Sequence, residues 1–131
     1  MLKITDKGMQ QIVEQKNSIE PVSRAGKDFL RFNFDGLLTQ KKAIELCTEW
    51  KKYSLQEPEK SFVIVFNASK MENYEPQARI AFQKCMKEMS KQIDKIWVVT
   101  DSKLVLGGAS IMSLIVGLPI RAVRSEEQII V

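Results

Sequence analysis

Histidine is absent from the 131-residue chain, and with it go imidazole acid–base catalysis, Ser-His-Asp relays and His-ligated zinc. Two cysteines, Cys47 and Cys85, remain as candidate nucleophiles or ligands. Both fall at inward positions of predicted helices, where a free thiol is a small buried hydrophobe, so neither a disulfide framework nor redox work is expected of them. The carboxylates are dispersed: Asp94 and Asp101 flank one predicted strand, whose length holds them too far apart for a paired acid and base. Gly107-Gly108 lies inside a helical pattern and lacks the Lys-Ser or Lys-Thr of a phosphate-cradling loop. The net charge of +4 is mild. Arg79, Lys84, Lys87 and Lys91 form a basic strip, read as a solvated face or a docking face for an acidic partner. Weak nucleic-acid binding at Lys84, Lys87 and Lys91 is a further alternative, with few aromatics among the lysines to support it. These residues together predict a non-enzymatic protein without metal or cofactor.

What is left is a place rather than a reactive group. The run Ser61-Phe62-Val63-Ile64-Val65-Phe66-Asn67 holds five consecutive large apolar residues and reads as a central parallel strand buried on both faces. The polar loop Ala68-Ser69-Lys70-Met71-Glu72-Asn73 follows it. Loops leaving the carboxyl ends of such strands are where open α/β sheets meet ligands and partners. Asn67, Ser69, Lys70, Asn73 and Tyr74 are therefore candidate contact residues. A second candidate face is the predicted helix over 103–117, which is apolar all round and contains the small residues Gly107, Gly108, Ala109 and Ser110. Such a helix is deeply buried or packs against something outside the domain, with Leu104, Gly107, Gly108 and Ile111 at the contact.

The elements that must position these residues can be read in order. Residues 1–18 give a short helix or an irregular extension. Strands over 19–24 and 28–34 are joined at Ala25-Gly26-Lys27, where Gly26 supplies the positive φ of a tight turn. Asp35-Gly36 turns the chain, and Thr39 caps a helix over 40–54 whose inward stripe is Ala43, Leu46, Cys47 and Trp50. Pro76 opens a helix that runs to about residue 92. Strands over 96–100 and 120–123 flank the apolar helix, and Ser125 caps a last turn over 126–130. Successive strand-helix-strand units imply right-handed crossovers and a mostly parallel sheet of four to five strands with an N-terminal hairpin and four helices, one domain over 1–131. The longest apolar stretch, over 104–118, is too short and too interrupted to span a bilayer. The first residues lack the apolar core of a secretory signal, so a soluble cytoplasmic protein is expected.

A hairpin feeding a short βα ladder of this length resembles the STAS and SpoIIAA-like domains, the fold of bacterial anti-sigma-factor antagonists. It is similar more specifically to a divergent STAS-like group related in shape to lipid-binding CRAL-TRIO domains. The resemblance covers residues 19–130 in order and spacing. It is carried by Phe34-Asp35-Gly36 before the first helix, Phe66-Asn67-Ala68-Ser69 after the central strand and Trp97-Val98-Val99 before the small-residue helix. In the antagonists the loop after the central strand is phosphorylated by a partner kinase, and Ser69 matches that position. Here Asn67 replaces the family's acid and Lys70 its glycine. The resemblance thus implies a regulatory or protein-interaction module, akin to an anti-sigma-factor antagonist, that contacts another protein or its own copy. The relation to lipid-binding domains implies, as the alternative, a carrier of an apolar small molecule.

Overall fold

The computed structural model describes residues 16–130, so the extension expected over 1–18 lies almost wholly outside the described residues. Strands β1 (Ser18–Arg24) and β2 (Lys27–Leu38) form the expected antiparallel hairpin. Its turn has only two residues, Ala25 and Gly26, with φ of 52° and 75°. Two positive φ values in succession match the twist of hairpin strands, so Lys27 already pairs with Arg24 instead of lengthening the turn.

Strands β3 (Phe62–Tyr74), β4 (Ile93–Val99) and β5 (Ile120–Val123) then join in parallel, giving the order β1-β2-β3-β4-β5. The apolar run 62–66 does occupy the central strand. Helices α1 (Gln40–Gln56), α2 (Pro76–Glu88) and α3 (Lys103–Val116) make the three crossovers. The sheet is therefore mixed, because β1 runs against its neighbour, and among the described residues there are three helices where four were expected. The segment over 126–130 forms only a 3-10 turn, Glu126–Gln128. Ser125 and Gln128 close a capping box there, but the chain leaves the turn to bury Ile129.

Local signals account for the helix starts. The Thr39 hydroxyl accepts from the Lys42 amide at 3.2 Å and the Ser102 hydroxyl from the Val105 amide at 3.3 Å. Pro76 stands in the first turn of α2, where its missing N–H costs nothing. Gly117, at φ 78°, ends α3 in the left-handed region. Helix α2 stops short of the expected residue 92. The chain tightens into a 3-10 turn over Ser90–Gln92, and the Gln92 amide donates to the carbonyls of Ser54, Glu57 and Lys60 at 3.1, 3.0 and 3.3 Å. That one side chain ties the start of β4 to the chain leaving α1.

All three helices pack on one face of the sheet. Leu30, Phe32, Phe34, Ile64, Phe66, Ile96 and Val98 alternate onto it and meet Trp50 of α1 and Phe82 of α2. Phe32 is the hub, edge-on to Trp50 at 5.2 Å and to Phe82 at 5.8 Å, with Phe66 at 5.1 Å. The opposite face carries Phe29, Val63, Val65, Trp97 and Val99, packed with Ile129 and, partly, Val123.

The largest departure from the sequence reading lies beyond the carboxyl ends of β2 and β3. Asp35-Gly36 does not turn the chain, and residues 68–73 are not a loop. Both stretches continue as paired strand, Asp35 opposite Lys70, Gly36 opposite Met71 and Leu38 opposite Tyr74. Register shifts between Asn33 and Asp35 and between Gly36 and Leu37 absorb the extra residues, and Gly36 takes φ 74° in the bulged stretch. The pairing persists because Leu38 buries its side chain at the far end. β4 stays paired with β3 only as far as Asn67, so this ribbon stands beyond the body of the sheet.

Candidate functional site

The bulged ribbon brings the starts of two helices together. The Glu75 amide donates to Leu38 O at 2.9 Å, while the Glu75 carboxylate accepts from the Gln40 amide at 2.7 Å. A carboxylate there faces the positive end of α1. The ribbon, α2 and α3 thus surround the carboxyl ends of β2, β3 and β4, the position at which open α/β sheets bind.

The candidate residues divide into groups with different surroundings. Asn67 lies on the face away from the helices, its amide donating at 2.5 Å to the Glu126 carboxylate, which also accepts from Arg31 Nε at 2.7 Å. Arg31 reaches Glu20 at 3.6 Å, so Asn67 belongs to a polar network that fastens the C-terminal turn to the sheet. Ser69 is exposed; its hydroxyl and its amide both donate to Asn67 Oδ1, at 2.7 and 3.2 Å. It sits in strand, seven residues ahead of Pro76 where α2 begins. Lys70 and Asn73 are exposed along the same ribbon, and Asn73 Oδ1 accepts from the Tyr74 amide at 2.8 Å.

Tyr74 turns inward against α3. A Cβ added at Gly108 would stand 2.6 Å from the Tyr74 hydroxyl, whereas one added at Gly107 would meet open space. Gly108 is consequently a packing residue under the helix, and Gly107 is on its outer surface. Leu104 and Ile111 share that outer surface with Leu114 and Ile115, which are 85 % and 46 % exposed. Helix α3 is apolar all round, as expected from sequence, but within it only Val105 and Gly108 are buried.

The remaining chemistry-bearing residues are committed elsewhere. Cys47 and Cys85 are buried free thiols between α1 and α2, with Cys47 Sγ 3.8 Å from Ala81 O. The neighbouring Cys47 thiol, reinforced by burial, pushes the Cys85 pKa far above the ordinary thiol range. Asp94 pairs with Lys27 at 3.3 Å and Asp101 with Arg124 at 3.7 Å, at the two ends of β4. Among the described residues there is no cluster of metal-ligating side chains. Lys84, Lys87 and Lys91 are exposed, and Glu88 between them pairs with Lys51 of α1 at 2.8 Å.

A feature the sequence reading missed lies between the ribbon, the sheet, α2 and α3. It is a cavity of about 70 Å³, partly open to solvent, walled almost wholly by apolar atoms of residues such as Phe34, Phe66, Phe82, Met71 and Met112. Tyr74 and Gly108 meet at its wall. Its one charged lining residue is Arg79. The basic strip assigned Arg79 to the outer face of α2 with the lysines; instead it lies at this cavity, hydrogen-bonded to the buried Gln83 one turn on. The spacing of Arg79 beside Ala78 and Phe82, both buried, was the signal available.

No family model matches the chain and no curated protein matches it. Among solved structures it is similar to an uncharacterised protein of the DUF3478 family, with a SpoIIAA-like fold, from Shewanella loihica PV-4. The TM-score is 0.69 at 13 % sequence identity, over 92 % of this chain and 94 % of that one. At that identity the likeness is one of fold, and the fold is the SpoIIAA-like one that the sequence resemblance implied. No described helix is long and apolar enough to cross a membrane.

Proposed function

From the SpoIIAA-like fold and the surfaces it presents, we propose a non-enzymatic STAS-like module that works by contact, through the outer face of α3. The observation that carries this reading is the stripe Leu104, Gly107, Ile111, Leu114 and Ile115, spaced three and four residues apart and turned away from the sheet. Exposed apolar surface gathered on one helix face marks a contact surface more often than scattered single residues do. The partner we assign to it is a second copy of the chain. The stripe carries no charge, so an isologous contact buries none, and the gap at Gly107 accepts a side chain from the opposing helix.

Analytical ultracentrifugation of the natural chain is expected to show a dimer. Gly107→Arg and Leu114→Lys should each give a folded monomer, since neither side chain reaches the core. A natural chain that stays monomeric at high concentration would remove self-association as the role of this face.

A second reading, carriage of an apolar small molecule, is favoured by the apolar cavity beneath α3. Sites for small molecules are concave and mostly apolar, with a few placed polar groups.

A further inference from the structure

The walls of the cavity between α2, α3 and the ribbon offer carbon and sulfur and almost nothing else. Among its lining residues only Tyr74 and Arg79 have polar side chains, and their polar ends are occupied to the side of it. The Arg79 guanidinium donates to the Gln83 side-chain carbonyl, and the Tyr74 hydroxyl lies over Gly108 of α3. The deep wall is a cluster of three buried rings. Phe34 and Phe66 have their centroids 6.0 Å apart, Phe34 and Phe82 5.7 Å, and Phe66 and Phe82 5.6 Å, so each ring holds the other two in place. Met71 and Met112 are half-buried and stand nearer solvent. Their unbranched thioether chains adapt to whatever lies beside them.

We propose that this cavity binds a compact, uncharged apolar molecule that carries no hydrogen-bonding group. A hydroxyl or a carboxylate placed among these walls would give up its water and find no partner in exchange. Dispersion contact is what the rings and thioethers supply, and it favours any close-fitting carbon skeleton. The volume then sets the size. A cavity of about 70 Å³ is about half the ~150 Å³ apolar cavity that takes benzene or xenon, so the occupant is a hydrocarbon of roughly three or four carbons, or a single xenon atom. The inference deepens the carriage reading and rests on it. It is independent of the outer face of α3, because neither Gly107 nor Leu114 lines the cavity.

The test is a titration of the natural chain with xenon and with isobutane, isopropanol and acetate, which share one branched shape and differ in polarity. Amide ¹H–¹⁵N and methionine-methyl shifts report the site. Xenon and isobutane should give saturable shifts centred on Met71, Gly108, Ala109 and Met112. Isopropanol should bind on the order of tenfold or more weakly than isobutane, and acetate should give no saturable shift. Ala109→Leu, which sets a larger side chain at the lining, should abolish the xenon and isobutane shifts, with the undisturbed remainder of the spectrum reporting an intact fold. Met112→Ala should enlarge the cavity and bind benzene more tightly than the natural chain does. Shifts that survive Ala109→Leu in a folded chain would overturn the cavity as the site. Isopropanol or acetate binding as tightly as isobutane would overturn the uncharged, headless occupant while leaving carriage standing. No saturable shift with xenon or with any of the three compounds would overturn both.

Discussion

Gly107 and Gly108 are adjacent in sequence and opposite in surroundings. In a helix interior, glycine costs about 0.5–1 kcal/mol relative to alanine through its backbone freedom. At Gly107 a methyl group would meet nothing, so Gly107→Ala should raise stability by about 0.5–1 kcal/mol in urea unfolding of the monomer. At Gly108 the same methyl group would press on the Tyr74 hydroxyl at 2.6 Å and ring carbon at 3.0 Å. Gly108→Ala should therefore lose that gain, and the displaced ring should shift the Tyr74 resonances, which Gly107→Ala leaves alone. Equal gains from both substitutions would show that the contact yields freely. Sequence alone treats the two glycines as equivalent, because the helical pattern around them is apolar on every side and names no inward direction. The direction comes from Tyr74, placed by a ribbon that polar residues disguise.

Among elements, the α1–α2 pair is held by apolar packing inside and by one ion pair at its rim. Lys51 Nζ lies 2.8 Å from a Glu88 carboxylate oxygen. The hydrogen bond to Glu88 raises the Lys51 pKa, and the same bond lowers that of Glu88. A carboxylate held low in the folded state stabilises above its ordinary pKa, and that contribution disappears as pH falls through the folded value. A lysine held high stabilises below its ordinary pKa and loses the effect as pH rises through its folded value. The bridge thus acts between the carboxylate and lysine ranges. A double-mutant cycle with Lys51→Met and Glu88→Gln should give a favourable coupling at neutral pH that vanishes near about pH 2 and shrinks with added salt. Coupling that survives at acid pH would mean that packing of the two stems, rather than charge, is what the cycle reads.

The elements themselves were largely legible in the sequence. Thr39 and Pro76 mark helix starts by local chemistry, and the continuous apolar runs over 62–66 and 96–99 mark the buried strands. The ribbon over 35–38 and 68–74 was not legible. Its strand character comes from backbone pairing across bulges, and its side chains, Ser69, Lys70, Glu72 and Asn73 among them, are exposed and polar. The cavity was hidden for a related reason: its walls come from β2, β3, β4, β5, α2 and α3, and no single stretch carries its pattern.

For the molecule as a whole, the two faces of the sheet are closed by different means. Three helices cover one, while on the other Ile129 packs against Val63, Val65 and Trp97 and is 4 % exposed. Ile129→Ala should therefore cost about 2–4 kcal/mol in urea unfolding, far more than Ile130→Ala, whose side chain is 75 % exposed. The same segment is moored by Glu126 to Asn67 and Arg31 and by the Arg24 guanidinium, which donates to Ile129 O at 3.3 Å. Equal costs at positions 129 and 130 would deny the C-terminal turn its role in closing that face. The strand order β1-β2-β3-β4-β5 adds a condition on how the molecule comes into being. Each strand is laid beside the one synthesised just before it, so no strand has to be threaded between two that have already met. A nascent chain leaving the ribosome can add strands in register as they emerge, with the residues around Ile129 following β5 to close the second face.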